Sequence, residues 1–348
     1  MLYEIARSCF FKLNPEAAHA LVMKVVDPAA ALHLFKLLGT ENVHDPRKVM
    51  GLTFPNAVGL AAGLDKTGSH VSSLGSTGFG HIEVGTFTPR AQAGNPAPRC
   101  WRLIPAQGIV NHMGFNNPGV EAGVANLVSA DAFRAKGGIL GINIGKQNST
   151  AVEDALPDYR LCMDAVYEKA DYLAIDISCP NTPGLTKLQE GDSLVTLCRG
   201  IEDERKRLSD KFGRRVPITV KIGPDLDDNA VRAAADAFVE SGMDAITATN
   251  TTTQRPAHIQ PLLKPEMCGG LSGLPLNALS THVIRTLSEH LKGELPIIAS
   301  GGVMTPEIAC EKMEAGASLV QIYSGFIYAG PALSGQCARA IRDRFPQN

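Results

Sequence analysis

Beyond Asp45-Pro46 the chain alternates short, continuous apolar runs with longer stretches of helical periodicity. The runs are Ala57–Ala62, His81–Phe87, Ile139–Ile144, Tyr172–Ile177, Val216–Ile222, Ala245–Ala248, Leu295–Ala299 and Leu319–Tyr323. Their apolar residues are continuous rather than alternating, so each predicted strand is covered on both faces, as in a parallel sheet. Eight such strands with intervening helices, over about 280 residues, predict an α/β chain closed into a (β/α)8 TIM barrel. A doubly wound open sheet is the competing topology, and the even spacing favours closure. Two insertions interrupt the series. Arg99–Asn111 holds two extended runs around Ala106-Gln107-Gly108 and predicts a small hairpin, while the Pro/Gly-bearing loop Asn181–Gly191 is placed to act as a lid.

Residues 1–42 follow a different pattern and predict an amphipathic helical hairpin, leaving 43–348 for the barrel. Asn14-Pro15-Glu16 supplies a cap, a first-turn proline and a first-turn acid, opening a helix through Leu21, Val22, Val25 and Val26. Asp27-Pro28 repeats the signal and predicts a second helix with Leu32, Leu34, Phe35, Leu37 and Leu38, stopping at Gly39. Such a hairpin either packs on the barrel or lies in a membrane surface with Lys12, Lys24 and Lys36 at the headgroups. No apolar run reaches the ~18–20 residues that a membrane span requires.

Composition narrows the classes. With 348 residues, 44% hydrophobic and 20% charged, the chain buries a large core, which excludes disordered and fibrous proteins. A net charge of -2 gives no global reason to bind nucleic acid. Its eight cysteines are scattered without a Cys-x-x-Cys pair, which argues against a disulfide framework or a zinc cage and for a reducing compartment.

In such barrels the chemistry sits at the C-terminal strand ends, and each run here finishes in small or polar residues. Gly301-Gly302 and Tyr323-Ser324 follow the seventh and eighth strands, where backbone amides cradle phosphate. Lys221 is embedded in the fifth run between Val220 and Ile222; a buried cation needs an anion, and a reduced flavin ring supplies one. Lys66 follows a glycine turn, where a solvated loop lysine is the competing reading. Cys179 stands at the end of the fourth strand before Pro180-Asn181, and its thiol serves as a base near neutral pH if its surroundings favour the thiolate.

The strings Ala61-Ala62-Gly63-Leu64-Asp65-Lys66, Asn111-His112-Met113-Gly114-Phe115-Asn116-Asn117, Gly141-Ile142-Asn143-Ile144-Gly145-Lys146 and Pro180-Asn181-Thr182-Pro183-Gly184-Leu185 resemble dihydroorotate dehydrogenases. So do Ala248-Thr249-Asn250-Thr251-Thr252, Gly269-Gly270-Leu271-Ser272-Gly273 and Gln321-Ile322-Tyr323-Ser324-Gly325-Phe326. The N-terminal hairpin with His19, and the segment bearing Arg102, resemble the class 2, quinone-linked, membrane-associated branch. The resemblance implies flavin mononucleotide (FMN) surrounded by Ala62, Gly63, Lys66, Thr86, Asn143, Asp176, Lys221, Thr249, Gly273, Gly302, Tyr323 and Ser324. It implies pyrimidine contacts from Lys66, Asn111, His112, Met113, Gly114, Phe115, Asp176, Asn181, Asn250 and Thr251, with Cys179 as the base. His19 and Arg102 would stand on the quinone route, and no metal is implied. The implied reaction is oxidation of (S)-dihydroorotate to orotate in pyrimidine (UMP) biosynthesis, with ubiquinone or menaquinone as final oxidant. The implied location is peripheral, on the cytoplasmic face of the cell membrane.

Two positions depart from the class 2 pattern. Cys179 stands where class 2 members typically carry Ser, and a Cys base is similar to class 1. Asp176 stands where they carry Asn, so an amide that can donate becomes an acceptor-only carboxylate beside an anionic substrate. Asp176 is then protonated, or its neighbours adjust, or substrate affinity suffers. The rival readings are a class 1-like enzyme with a soluble acceptor such as fumarate, another FMN enzyme of dihydropyrimidines, and a non-catalytic flavin-binding or membrane-surface scaffold.

Overall fold

All eight apolar runs become strands in the computed structural model, which describes residues 2–347. They are β1 (Val58–Leu60), β2 (His81–Phe87), β3 (Ile139–Ile144), β4 (Tyr172–Asp176), β5 (Ile218–Ile222), β6 (Ala245–Ala248), β7 (Ile297–Ser300) and β8 (Leu319–Ile322). Neighbours pair in parallel in chain order, and β8 returns to β1 with Ile322 opposite Leu60, which closes the barrel. Helices of the connecting segments cover the outside, so β2, β4 and β5 are buried along their whole length. Coverage on both faces is why their apolar runs are unbroken.

The barrel's interior is not wholly apolar. Glu83 of β2 is fully buried, and its carboxylate accepts from Asn143 Nδ2 of β3 (2.8 Å), Tyr172 OH of β4 (3.0 Å) and Gln321 Nε2 of β8 (2.8 Å). At the N-terminal end a two-stranded hairpin, Arg47–Val49 with Leu52–Phe54, seals the barrel. Its Phe54 ring meets the His81 ring edge-on at 5.3 Å and lies near Tyr172. The sequence pattern gave no sign of this plug, because three-residue strands are too short to establish a period.

Over the C-terminal end lies a three-stranded antiparallel sheet. Cys100–Leu103 and Gly108–Asn111 form the expected hairpin, and Gly270–Gly273 adds a third strand across Gly108–Asn111. The loop after β4 is folded down: Leu185 and Leu188 are buried in the core, and Gln189 Oε1 accepts from Gly223 N at 2.6 Å.

The N-terminal segment differs from expectation. A first helix, α1 (Leu2–Phe10), precedes the Asn14 cap, and α2 (Pro15–Ala31) runs straight through Pro28. Asp27 does not cap a new helix because its carboxylate is turned to His70 Nδ1, 2.9 Å away, and the alanines after Pro28 carry the turn onward. The predicted second helix is reduced to a 3-10 turn, Leu34–Leu38, between His33 and Gly39 in left-handed conformations. Among the described residues no helix is long and apolar enough to cross a membrane.

His81 gives this architecture a pH signature. Its ring is fully buried, neither nitrogen has a hydrogen-bond partner among the described residues, and a Cβ on Gly59 would lie 2.0 Å from Nε2. Burial pulls its pKa down to about 3. The unfolded chain takes up this proton below about pH 6.5 while the folded chain refuses it. Stability present above that pH is therefore lost as the pH falls toward 3. A His81→Leu variant is expected to lose stability less steeply between about pH 6 and 4, by up to ~1.4 kcal/mol per pH unit, in urea unfolding. Equal acid slopes in both proteins would contradict this.

Candidate active site

The loops leaving the C-terminal strand ends gather most of the expected residues. After β1, the carboxylate of buried Asp65 accepts from the amides of Thr67, Gly68, Ser69 and His70, which wraps the loop around it and turns Lys66 toward the barrel mouth. A Cβ placed on Gly63 would sit 3.4 Å from the Tyr323 ring and 3.9 Å from Lys66 Nζ, so these three converge. Ala62 lies in the same loop, and Tyr323 OH donates weakly to Gly63 O at 3.4 Å. Burial lowers the pKa of Lys66, and the nearby Cys179 and Cys100 sulfurs bear on it in the opposite sense.

A second group forms beside β4. Asn181 Nδ2 donates to Asn111 Oδ1 (3.0 Å) and Asn111 O (3.1 Å), and Asn181 Oδ1 meets His112 Nδ1 at 3.2 Å. Asn95, which sequence reasoning missed, donates to Asn181 O and holds this loop from behind. Met113-Gly114-Phe115 is pinned by Gln92 Nε2, which donates to Gly114 O and Phe115 O, both at 3.1 Å. The Phe115 ring and Thr86 close on Gly145, where a Cβ would lie 2.8 and 2.9 Å from them.

Asp176, at the end of β4, pairs in register with Lys221 of β5. Its carboxylate is already occupied. Oδ1 accepts from Ser178 N (2.9 Å) and Ser178 Oγ (3.0 Å), and Asn250 Nδ2 donates to both oxygens at 3.4 and 3.3 Å. Ser178 and Asn250 thus supply donors that an acceptor-only side chain can use. Burial still raises the pKa of Asp176, against the lowering charge of Lys221. Asn250 also donates to Ser178 Oγ at 3.0 Å, while Thr251 Oγ1 is packed against Gly270.

Cys179 is nearly buried, and its surroundings do not favour the thiolate. Burial and the Asp176 carboxylate push its pKa up to about 12, while the Asn181 amide, Thr182 and Lys66 act the other way with less weight. The sequence placed Cys179 correctly at a strand end but could not show that a carboxylate three residues earlier shares its pocket. Buried Asp on a parallel strand was the available signal.

On the opposite side, Asn143 and Gln321 each give an amide N–H to Glu83, leaving Asn143 Oδ1 and Gln321 Oε1 buried with no protein partner. Thr249 is buried with its amide donating to Ser300 O at 2.7 Å. The loops after β7 and β8 touch where Gly325 abuts Val303 O, and Ser324 Oγ lies 2.9 Å from Ser272 Oγ. Gly273 is held against Gln107 O. No cluster of His, Cys, Asp and Glu able to hold a metal ion occurs among the described residues.

His19 and Arg102 lie outside this ring, on the side covered by the N-terminal helices. Burial pulls the His19 pKa down to about 4, with the Lys66 charge acting in the same sense, so α2 reaches the edge of the site. Arg102 Nη1 donates to Leu13 O at 2.9 Å and its guanidinium stacks 4.6 Å from the Phe11 ring.

Comparison with known proteins follows the same lines. A family model described as Dihydroorotate dehydrogenase matches residues 46–345. The chain is 54% identical over 340 residues to a protein of Teredinibacter turnerae named Dihydroorotate dehydrogenase (quinone), covering 98% of this chain and 99% of that one. It is 50% identical, with 98% coverage of both chains, to a protein of the same name from Polynucleobacter asymbioticus. A solved structure described as DHODH in complex with ferulenol from Eimeria tenella superposes with a TM-score of 0.85 at 34% identity, over 95% of this chain and 91% of that chain.

The shared pocket of Asp176 and Cys179 yields a direct measurement. Peptide-resolved alkylation by iodoacetamide across pH is expected to give a Cys179 midpoint well above the ~8.5 of a free thiol. In Asp176→Asn the midpoint is expected to fall, because the carboxylate no longer opposes the thiolate. An unchanged midpoint in that variant would show that Asp176 does not govern the thiol.

Proposed function

The chain belongs to the dihydroorotate dehydrogenase family, and from that premise we propose that it oxidises (S)-dihydroorotate to orotate in pyrimidine biosynthesis, with FMN as cofactor and a membrane quinone, ubiquinone or menaquinone, as final oxidant. The observation that carries the quinone-linked reading is the seat of the N-terminal helices. Their inner side brings His19 within electrostatic range of Lys66, while eight of the twelve large exposed apolar side chains among the described residues lie on residues 2–37.

The residues at the barrel mouth suit the flavin. Asn143 Oδ1 and Gln321 Oε1 are buried acceptors in need of an N–H, Lys221 is a buried cation suited to an electron-rich ring edge, and glycines line the phosphate end. FMN, when bound, supplies the hydride acceptor for C6 of dihydroorotate and the electrons for quinone.

This chain's residues do the rest. The Lys66 ammonium pairs with the substrate carboxylate, and the amides of Asn111, Asn181 and Asn250 read the ring's amide edges. Cys179 Sγ takes the proton from C5, and Lys66 beside it is the counter-charge that favours the thiolate. Because Asp176 opposes that thiolate, proton removal is expected to quicken as pH rises through the neutral range. The Met113–Phe115 segment covers the ring from above and excludes water.

Residues 1–42 form the membrane-facing unit and 43–348 the catalytic one. Leu2, Ile5, Leu21, Val25, Leu34 and Leu37 are exposed with Lys12, Lys24 and Lys36 among them, a pattern suited to an interfacial helix pair on the cytoplasmic face of the cell membrane. A cleft of about 370 Å³ opens between α1 and the sheet above the barrel, lined by Arg7, Ser8, Phe11, Lys12, Ile104, Gln107 and Tyr328. It is the entrance proposed for the quinone tail, with Arg102 and His19 further in.

Three measurements test this reading. Heat should release flavin mononucleotide and no dinucleotide. Cys179→Ala should slow flavin reduction by dihydroorotate about 10²–10⁴-fold, the usual worth of a positioned base; reduction at the normal rate would move the role elsewhere. A chain shortened to begin at Val43 should keep flavin reduction but lose most reoxidation by long-chain quinone, while soluble dyes still work. Equal quinone rates in the shortened and full-length proteins would make the N-terminal segment purely structural.

A further inference from the structure

Lys312, on the helix Pro306–Glu314, is fully buried, a rare state for a lysine without an acid to pair with. Its Nζ donates to Asn277 O (3.0 Å), Ser280 Oγ (2.6 Å) and Thr281 Oγ1 (2.6 Å), all in the first turns of the helix Asn277–Leu291. No ion pair includes Lys312 among the described residues. The neighbouring Glu311 carboxylate favours the cation only through space and is itself held by Asn277 Nδ2 at 3.1 Å. Burial outweighs it and pulls the lysine's pKa down to about 7. Its three hydrogen-bond partners are neutral, so the protonated amine has no ion-pair partner among the described residues to balance its charge.

That charge lies behind the glycine loop. Ser280 Oγ, having accepted from Lys312, lies 2.8 Å from Gly301 O and 3.0 Å from Asn277 O, and the shorter contact joins the lysine to the loop. The C=O of one residue and the N–H of the next point in opposite directions across a trans peptide. Drawing the Gly301 carbonyl into the wall therefore turns the Gly302 N–H outward, and no acceptor takes that N–H among the described residues. Gly302 has φ +78° and rests on Asn277, where a Cβ would lie 2.4 Å from Asn277 Cα, so the loop is clamped against the same helix that holds the lysine.

We propose that Lys312 is a positioning residue for the cofactor's phosphate: through Ser280 it sets the Gly301–Gly302 peptide, and its buried charge complements the phosphate dianion from behind the loop. This deepens the reading under Proposed function and rests on the phosphate lying at that loop.

Riboflavin, which lacks only the phosphate, separates the two claims. Release of FMN from diluted holoenzyme, followed by flavin fluorescence, gives its affinity, and displacement of that FMN by excess riboflavin gives the second affinity. Lys312→Met is expected to weaken FMN on the order of 10- to 100-fold, as for a lost charge-assisted bond, and riboflavin by less than about 3-fold. Equal weakening of both flavins, or of neither, would overturn the proposal and leave Lys312 a structural lysine. If the wild type holds riboflavin as tightly as FMN, the phosphate assignment itself fails and takes the proposal with it. Should Lys312→Met not fold, Ser280→Ala carries the test, because it keeps the cation and cuts the link to Gly301. It should weaken FMN about 3- to 10-fold with riboflavin little changed, and an unchanged ratio of the two affinities would overturn the proposal equally.

Discussion

A single buried carboxylate ties half of the barrel together. Glu83 is fully buried, so its charge is tolerable only while Asn143, Tyr172 and Gln321 all donate to it, and these come from three other strands. The register of β2, β3, β4 and β8 is fixed by that demand as well as by apolar packing. The same demand shapes the site above. Because the carboxylate claims an N–H from each amide, the oxygens of Asn143 and Gln321 are directed elsewhere and remain buried acceptors without a partner among the described residues. A structural requirement of the barrel thus leaves unpaired acceptors beside its mouth.

Charge balance governs the other half of the mouth. Lys221 and Asp176 face each other in register on adjacent strands, and Lys66 lies near Cys179. Each acid or thiol is pushed up by burial and pulled down by a lysine, and the outcome depends on which neighbour is closest. For Cys179 burial and Asp176 prevail, so the resting group is a thiol. Ser178 and Asn250 absorb the lone pairs of Asp176, which keeps that carboxylate ordered, although its charge still reaches the thiol.

The N-terminal segment has no core of its own: polar ties hold it to the barrel, beside Val26, Met23 and Phe35 packed on the barrel core and Phe11 on Tyr328. Tyr3 OH and Arg7 donate to carbonyls at Ile327 and Tyr328, Glu16 pairs with Arg99, and Asp27 with His70, while α1 has no buried residue. Only Ala18 and Val26 of α2 are fully covered. Leu2, Ile5, Leu21 and Val25 of these two helices stay exposed.

The chain's own pattern determined the eight strands, because a strand covered on both faces writes an unbroken apolar run whatever its partners are. It also located Gly301-Gly302, Lys66, Cys179 and the Asn-rich loops, since a barrel confines its chemistry to the strand ends. What it could not determine depended on contacts between distant residues. Gly270–Gly273 became a strand only because Gly108–Asn111 offered it an edge. The carboxylate of Asp27, read as a helix cap, instead pairs with His70, forty-three residues away in sequence. Glu83, Ser178, Asn95 and Lys312 read as ordinary polar residues until the fold surrounded them. A local pattern encodes which face of an element is buried; the ionisation and direction of a buried polar group are set by whatever the closed barrel places opposite it.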